Sequence, residues 1–114
     1  MKTIMLVAAA GLLAVLPAPA IGAAGNFVLV NQSGGNMSGL SIRRTGTQAW
    51  QPLGVMPAAG ARGPVQFSDP DCAFDIQANV AGVGTVVWSG VNLCEANVVT
   101  LNRNASGAVW VDYD

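Results

Sequence analysis

Residues 72 to 94, CAFDIQANVAGVGTVVWSGVNLC, decide the fold that this sequence predicts. Apolar and polar residues alternate from Cys72 to Val80, which is the pattern of a strand with one buried face. A second strand-like run extends from Thr85 to Val91, and a glycine-containing segment separates the two runs. We therefore predict an antiparallel hairpin that turns near Gly82 and Val83.

The two cysteines of the chain lie at the ends of this hairpin. Cys72 and Cys94 are equidistant from Val83, so a hairpin that turns there places them opposite each other. If the domain is exported, as the N-terminal residues described below predict, an even pair of cysteines predicts one disulfide, and the alternative is a pair of buried free thiols. In the chain-entropy view, closing a loop of this size stabilises the fold by about 3 kcal/mol.

The second strand of the hairpin changes its phase of alternation. Val86 and Trp88 lie in one phase, whereas Val91 and Leu93 lie in the other. A β-bulge adds one residue to a strand and so moves the following side chains to the opposite face. We predict such a bulge near Ser89-Gly90.

Further strand-like runs flank the hairpin, and each is bounded by Gly, Pro, Asn or Asp. The seven predicted strands are Phe27 to Asn31, Gly39 to Arg44, Val65 to Phe67, Cys72 to Val80, Thr85 to Val91, Asn97 to Asn102 and Ala108 to Tyr113. No helical period of useful length follows Ala24, which argues against a parallel sheet with crossover helices. We predict an all-β fold, a small antiparallel β-sandwich with one disulfide.

The longest irregular segment runs from Thr45 to Pro64 and is rich in glycine and proline. We predict a short strand within it, near Leu53 to Met56. Long loops on rigid sandwiches often bind ligands, but a covering loop held by Trp50 and Leu53 is the alternative.

The N-terminal residues have the order of an export signal. Lys2 precedes an apolar run from Ile4 to Leu16, and small residues follow at Ala18-Pro19-Ala20 and Gly22-Ala23-Ala24. The run is shorter than the roughly 20 residues of a membrane-spanning helix. We predict a signal peptide in residues 1–24, cleaved after Ala20 or Ala24, and one domain in residues 25–114 that is periplasmic or secreted, with no membrane span after cleavage.

The charge balance argues against nucleic acid and anionic membranes as partners. Four arginines and six acidic residues follow the signal segment, a formal charge of −2, and the arginines are scattered. A nucleic-acid-binding surface needs clustered positive charge, so we expect no nucleic acid partner. We also expect no cofactor.

Catalytic groups are scarce. The chain has no histidine, and its one lysine, Lys2, lies in the signal segment, which excludes imidazole and lysine chemistry in the mature domain. A carboxylate pair is the remaining possibility, and Asp69, Asp71 and Asp75 form the only cluster. We predict that the protein is not an enzyme, with a carboxylate-dependent hydrolase as the enzymatic alternative.

The acidic cluster has structural interpretations. Asp69 and Asp71 are a weak calcium candidate because calcium accepts carboxylates from flexible loops. The favoured alternative is a turn with Pro70 at its second position, in which Asp71 bonds to the following backbone. We interpret Asp75 as a solvated charge or as the partner of Arg43 or Arg44 across a sheet.

Two pairs of residues are candidate ligand contacts. Arg43 and Arg44 could clamp a ligand carboxylate, although a simple surface position is the favoured interpretation. In the last strand, Val109, Val111 and Tyr113 are predicted to face the core and Trp110 to face outward beside Asp112. Exposed aromatic residues flanked by polar groups stack on sugar rings or anchor protein interfaces, but Trp110 in the core is the open alternative.

Several of these motifs, taken in order, resemble those of a loose group of small exported bacterial proteins of uncharacterised function. The motifs are Phe27-Val28-Leu29-Val30-Asn31 followed by Ser33-Gly34, Leu40-Ser41-Ile42 before Trp50, Cys72-Ala73-Phe74-Asp75-Ile76, and Val91-Asn92-Leu93-Cys94. The resemblance implies a β-sandwich-like fold with a cysteine pair, and it implies no activity or catalytic residue. The group often has an Asp-Gly turn between its cysteine strands, whereas this chain has Ala81-Gly82-Val83-Gly84.

These observations predict an exported, non-enzymatic module that binds a protein or carbohydrate ligand. The alternative is a structural or envelope-associated protein without a discrete ligand.

Overall fold

A computed structural model describes residues 22–114, which form eight β-strands and no helix. The strands are β1 (Phe27–Gln32), β2 (Met37–Arg44), β3 (Gln51–Pro52), β4 (Arg62–Val65), β5 (Ala73–Val80), β6 (Gly84–Asn92), β7 (Val98–Arg103) and β8 (Val109–Tyr113). The predicted signal peptide lies outside the described residues except for its last three positions. Within the described range, no helix is long and apolar enough to cross a membrane.

The strands form two four-stranded sheets. One has the order β3-β2-β5-β6 and is antiparallel throughout, and the other has the order β4-β1-β7-β8. In the second sheet β1 and β7 are parallel, with Val28 opposite Val98 and Gln32 opposite Asn102. The prediction of a purely antiparallel fold is therefore wrong at this pair, because the alternation within a strand carries no information about its neighbour's direction.

Both sheets contribute their buried faces to one hydrophobic cluster. Leu29, Val99 and Leu101 of one sheet and Ile76 of the other are fully buried. Trp88 of β6 is 1% exposed, and its indole N–H donates to the carbonyl of Asn102 on β7 at 2.9 Å. The tryptophan therefore links the two sheets by a hydrogen bond as well as by packing.

The glycine- and proline-rich middle of the chain differs most from prediction. The short strand predicted near Leu53 to Met56 is wrong, because β3 precedes it at Gln51–Pro52. The strand predicted at Val65 to Phe67 shares only Val65 with the observed β4, Arg62–Val65. Both observed strands contain proline and lack clean alternation, so their pairing depends on β2 and β1 rather than on local pattern.

The predicted hairpin is confirmed. Val80 pairs with Gly84, and residues 81–83 form the turn between β5 and β6. Phe74 pairs with Val91 and Ile76 with Trp88, so Asp75 opposes both Ser89 and Gly90. This is the predicted β-bulge, and the φ of +66° at Gly90 is one that glycine adopts at little cost.

The predicted disulfide is also confirmed. Cys72 and Cys94 are bonded, with their Cα atoms 5.0 Å apart. The backbone N–H of Leu93 donates to the carbonyl of Cys72 at 2.9 Å, which extends the hairpin hydrogen bonds up to the bridge. The covalent bond therefore closes the end of the hairpin opposite the turn.

A buried asparagine holds part of the long segment between β2 and β4. Asn31 is fully buried, and its side-chain amide donates to the carbonyls of Pro57 and Gly35, both at 2.9 Å. Its side-chain oxygen accepts from the hydroxyl of buried Ser33 at 2.6 Å. Together with partly buried Leu53, which packs on the core, these bonds support the covering interpretation of this loop.

Candidate functional site

The outer surface of the second sheet carries the best candidate binding site. Val99 and Leu101 of β7 face the core and are fully buried. Thr100 and Asn102, which alternate with them on β7, therefore face outward, and so do their partners on β8, because directly paired residues share a face. Trp110 pairs with Asn102 and Asp112 with Thr100, so all four side chains lie on the outer side. We name this surface, formed by Thr100, Asn102, Trp110 and Asp112, the Trp110 face.

The Trp110 face combines an exposed aromatic ring with a polar pair. The pairing of Trp110 with Asn102 places it on the outer side, which is the predicted orientation, and the residue is 44% exposed there. Beside it, the amide nitrogen of Asn102 donates to Oδ2 of Asp112 at 3.0 Å and to the carbonyl of Thr100 at 3.3 Å. The indole thus lies next to an amide and a carboxylate that are both accessible to a ligand.

The core-facing side of β8 is less buried than predicted. Val109 and Tyr113 have the phase expected from the alternation, but they are 39% and 47% exposed. The expectation that they face a closed core is wrong, and only Val111 of this set packs partly against the cluster. The reason is that β8 is the last strand of its sheet, so one flank of each side chain stays uncovered.

A shallow hollow opens between the edge strands β6 and β8. Its volume is about 190 Å³, and it is lined by Trp88, Ser89, Val109, Trp110, Val111 and Tyr113. The backbone N–H of Asn92 on β6 donates to the hydroxyl of Tyr113 on β8 at 2.9 Å, so a side chain spans the two sheets at one end. The hollow therefore borders the Trp110 face.

Asp75 forms a buried polar site in the other sheet. It is 3% exposed, and Nε of Arg43 donates to its Oδ2 at 2.9 Å. Its Oδ1 accepts from the Thr45 hydroxyl at 2.9 Å and from the backbone N–H of Gly90, within the bulge, at 3.0 Å. The interpretation of Asp75 as a solvated charge is wrong, and its predicted pairing with Arg43 is observed.

The environment of Asp75 stabilises its charged form. Burial alone would raise its pKa, but the hydrogen bonds from Gly90, Thr45 and Arg43, together with the arginine's charge, outweigh burial and lower the pKa below the ordinary value. The guanidinium of Arg43 also lies 4.4 Å from the ring centre of Trp50, an arrangement that favours a cation–π contact. Arg43 is thus held between a carboxylate and an aromatic ring of its own chain.

Arg44 organises the remaining acidic cluster. Its guanidinium contacts Oδ1 of Asp69 at 3.0 Å and Oδ2 of Asp71 at 3.1 Å. Desolvation favours a higher pKa for Asp69, but the Asp71 backbone N–H and Arg44 outweigh it, so the pKa is lowered. The hydrogen bond that Arg44 donates to Asp69 raises the pKa of Arg44, and the negative charges of Asp69 and Asp71 raise it further.

The turn at this cluster differs from the prediction in one detail. The backbone N–H of Asp71 donates to Oδ1 of Asp69 at 2.8 Å, so Asp69 and not Asp71 makes the side-chain bond of the turn. Asp69 also pairs through its backbone with Ala24. The predicted Asx geometry is therefore shifted by two residues toward the N-terminus.

The two candidate arginines do not share a surface. Arg43 pairs with Asp75 on the outer side of β2, whereas Arg44 pairs with Phe74, whose side chain faces the core. Their side chains leave the strand on opposite sides, and each already contacts a carboxylate of this chain. Both residues border one hollow of about 270 Å³, but Asp69 also lines it, which weakens its attraction for an anionic ligand.

The structure brings Asp69 and Asp71, the calcium candidate, to one cation, the guanidinium of Arg44. Among residues 22–114, no group of three His, Cys, Asp or Glu side chains could hold a metal ion together.

The Trp110 face includes two residues that the sequence did not identify as candidates, Thr100 and Asn102. Their alternation with buried Val99 and Leu101 was the available signal, but only the pairing of β7 with β8 places them beside Trp110.

The predicted resemblance to small exported bacterial proteins stays a prediction. No known protein family, curated protein or solved structure matches the chain.

Proposed function

We propose that this protein is an exported, non-enzymatic β-sandwich that binds its ligand through the Trp110 face. The observation that carries the proposal is the 44% exposed Trp110 on an open sheet surface. Exposing a large indole to water is costly in apolar hydration, and a ligand that covers the ring recovers that free energy. The neighbouring Asn102–Asp112 pair supplies directional hydrogen bonds.

A neutral carbohydrate is the ligand that fits this surface best. The flat apolar face of a pyranose ring stacks on an indole, and sugar hydroxyls donate to carboxylate and amide oxygens. The carboxylate of Asp112 disfavours anionic sugars next to the ring. Arg43 and Arg44, which could attract an acidic ligand, contact carboxylates of the chain itself.

The carboxylates support binding rather than hydrolysis. A glycosidase needs one carboxyl group that stays protonated near neutral pH and a second one close by. Asp69 and Asp75 instead have pKa values lowered below the ordinary range, so they are ionised near neutral pH. Asp112 lies in the other sheet, where it bonds to an amide.

The binding proposal is tested by affinity gel electrophoresis with a panel of neutral soluble polysaccharides embedded in the gel. We expect at least one polysaccharide to retard the wild-type protein and Trp110→Ala to abolish the retardation. Met56→Ala is the matched control, because Met56 is also an exposed apolar residue, at 66%, but lies outside the Trp110 face. Wild-type mobility unchanged in every gel, or unchanged retardation of Trp110→Ala, would contradict the proposal and favour a structural envelope protein or a protein ligand.

Export is the second part of the proposal. The order of Lys2, the apolar run and the small residues supports a signal peptide, and the disulfide is consistent with an oxidising compartment. Ala24 is 4% exposed and exchanges two backbone hydrogen bonds with Asp69, at 2.8 and 3.1 Å. Cleavage after Ala24 would remove this buried pairing, so we place cleavage after Ala20.

The cleavage site is checked by intact mass and N-terminal sequencing of the protein recovered from the periplasm of a Gram-negative host. We expect Ile21 to be the first residue. Ala20→Leu should block processing, because the peptidase needs a small residue before the cut, whereas Gly22→Leu should leave it unchanged. A mature chain that begins at Gly25 would contradict the position, and retention of the full chain in the cytoplasm would contradict export.

A further inference from the structure

The free edge of β8 exposes backbone groups that could pair with another strand. Val98 and Asp114 exchange two backbone hydrogen bonds, at 3.0 and 3.1 Å, and at the other end of the segment the backbone N–H of Asn104 donates to the carbonyl of Ala108 at 3.0 Å. Backbone direction alternates along an antiparallel strand, so even-numbered residues of this segment bond to β7. The N–H and C=O groups of Val109, Val111 and Tyr113 therefore point away from the sheet.

The other three edge strands each carry a feature that discourages pairing. β3 has only two residues, and one is Pro52, while β4 contains Arg62 and Pro64. β6 is interrupted by the bulge at Ser89-Gly90. Short length, proline, positive charge and bulges are the usual ways in which proteins protect sheet edges.

β8 has none of these features along its five described residues. Its sequence, VWVDY, contains no proline, glycine or cation, and its register with β7 is unbroken from Val109 to Tyr113. It also carries three of the six exposed large hydrophobic residues among the described positions, Val109, Trp110 and Tyr113. An apolar, unprotected edge of this kind is typical of a strand that pairs with a strand of another molecule.

We propose that β8 pairs antiparallel with β8 of a second copy of this chain, centred on Val111. In this register Val111 faces the partner's Val111 and Val109 faces the partner's Tyr113. These are the residues whose backbone groups point to the free edge, so the hydrogen-bonding pattern is satisfied from both sides. The two β4-β1-β7-β8 sheets then become one eight-stranded sheet.

The same register is favourable for the charges. Asp112 faces the partner's Trp110, and Asp114 faces the partner's Ala108, so no carboxylate opposes another. A register centred on Asp112 would place Asp112 directly opposite the partner's Asp112, and like charges directly opposite each other destabilise a strand pair. A register centred on Trp110 would place Tyr113 opposite the partner's Gly107, which lies outside β8. The symmetric arrangement is therefore self-complementary, as a two-fold interface requires.

Pairing at β8 also extends the Trp110 face. Trp110 and the partner's Trp110 become diagonal neighbours on one face, which in antiparallel pairs lie roughly 7–8 Å apart. Two indoles and two carboxylates then form one continuous surface. The proposed dimer depends only on the β8 edge. Its test is therefore independent of whether the Trp110 face binds a carbohydrate.

The test is the solution mass of the protein without any ligand, measured by light scattering after gel filtration and by sedimentation equilibrium. We expect the wild type to have twice the chain mass at micromolar concentration. Val109→Pro removes an N–H that faces the free edge and leaves the β7 hydrogen bonds intact, and Val109→Lys places a cation there. Both variants should be monomers with unchanged far-UV circular dichroism.

Val83→Lys is the matched control, because Val83 is a similarly exposed valine, at 45% against 39% for Val109, in the turn between β5 and β6. It should remain a dimer. A monomeric wild type up to millimolar concentration would overturn the proposal, as would a dimer that survives both Val109 substitutions. Because no sugar is present, these outcomes are independent of the polysaccharide experiment.

Discussion

At the scale of single residues, alternation predicts which face of β5 carries Asp75 but does not predict that Asp75 is buried. Its place on the polar side of β5 follows from alternation, and that side is where it lies. Its burial comes from three neighbours on other strands or loops, Arg43, Thr45 and Gly90. A buried carboxylate with this many donors is a structural element of the bulge.

Replacing this carboxylate tests its contribution. Asp75→Asn keeps the size of the side chain but removes the charge that Arg43 contacts, so we expect the free energy of unfolding near neutral pH to fall by about 1.5–3 kcal/mol. Urea unfolding followed by tryptophan fluorescence measures the change. Asp114→Asn, an exposed C-terminal substitution, should have little effect, and equal stability of the two variants would contradict this role.

The pH dependence has a definite sign. The pKa of Asp75 is lower in the folded than in the unfolded protein, so its stabilising effect is present above the unfolded pKa, near 4, and is lost as pH falls through the folded pKa. The stability difference between wild type and Asp75→Asn should therefore shrink in acid. A difference that stays constant down to about pH 2 would show that the charge is not responsible.

At the scale of elements, the β5–β6 hairpin is the most predictable part of the molecule. Its turn, its bulge and its disulfide all follow from a short stretch of sequence, because the two strands are neighbours along the chain. β3 and β4 are the opposite case. Their few residues adopt strand structure only against β2 and β1, which are distant in sequence.

The disulfide should carry a large share of the stability of this hairpin. We expect the double variant Cys72→Ser, Cys94→Ser to lose about 2–4 kcal/mol in the free energy of unfolding, because the unfolded chain is no longer cross-linked. Urea unfolding with and without reductant measures this loss. Reductant should lower the midpoint of the wild type to that of the variant and leave the variant unchanged; a wild type insensitive to reductant would contradict the expectation.

At the scale of the whole molecule, two contacts decide how the sheets are joined at the β6–β8 side. Trp88 donates to the carbonyl of Asn102, and Tyr113 accepts from the N–H of Asn92. These contacts hold the sheets together by side chains while leaving the backbone edge of β8 open. The same side of the molecule therefore presents both the Trp110 face and the proposed pairing edge.

The sequence by itself determined the all-β class and the hairpin with its bulge and disulfide. Each of these depends on period-two alternation or on residues close along the chain, so local pattern is sufficient. Only the tertiary structure decided that β1 and β7 run parallel, that Asp75 is buried beside Arg43, and that Asn102 lies next to Trp110. These features depend on which distant strands become neighbours, and the free energy of packing both sheets around one core selects them.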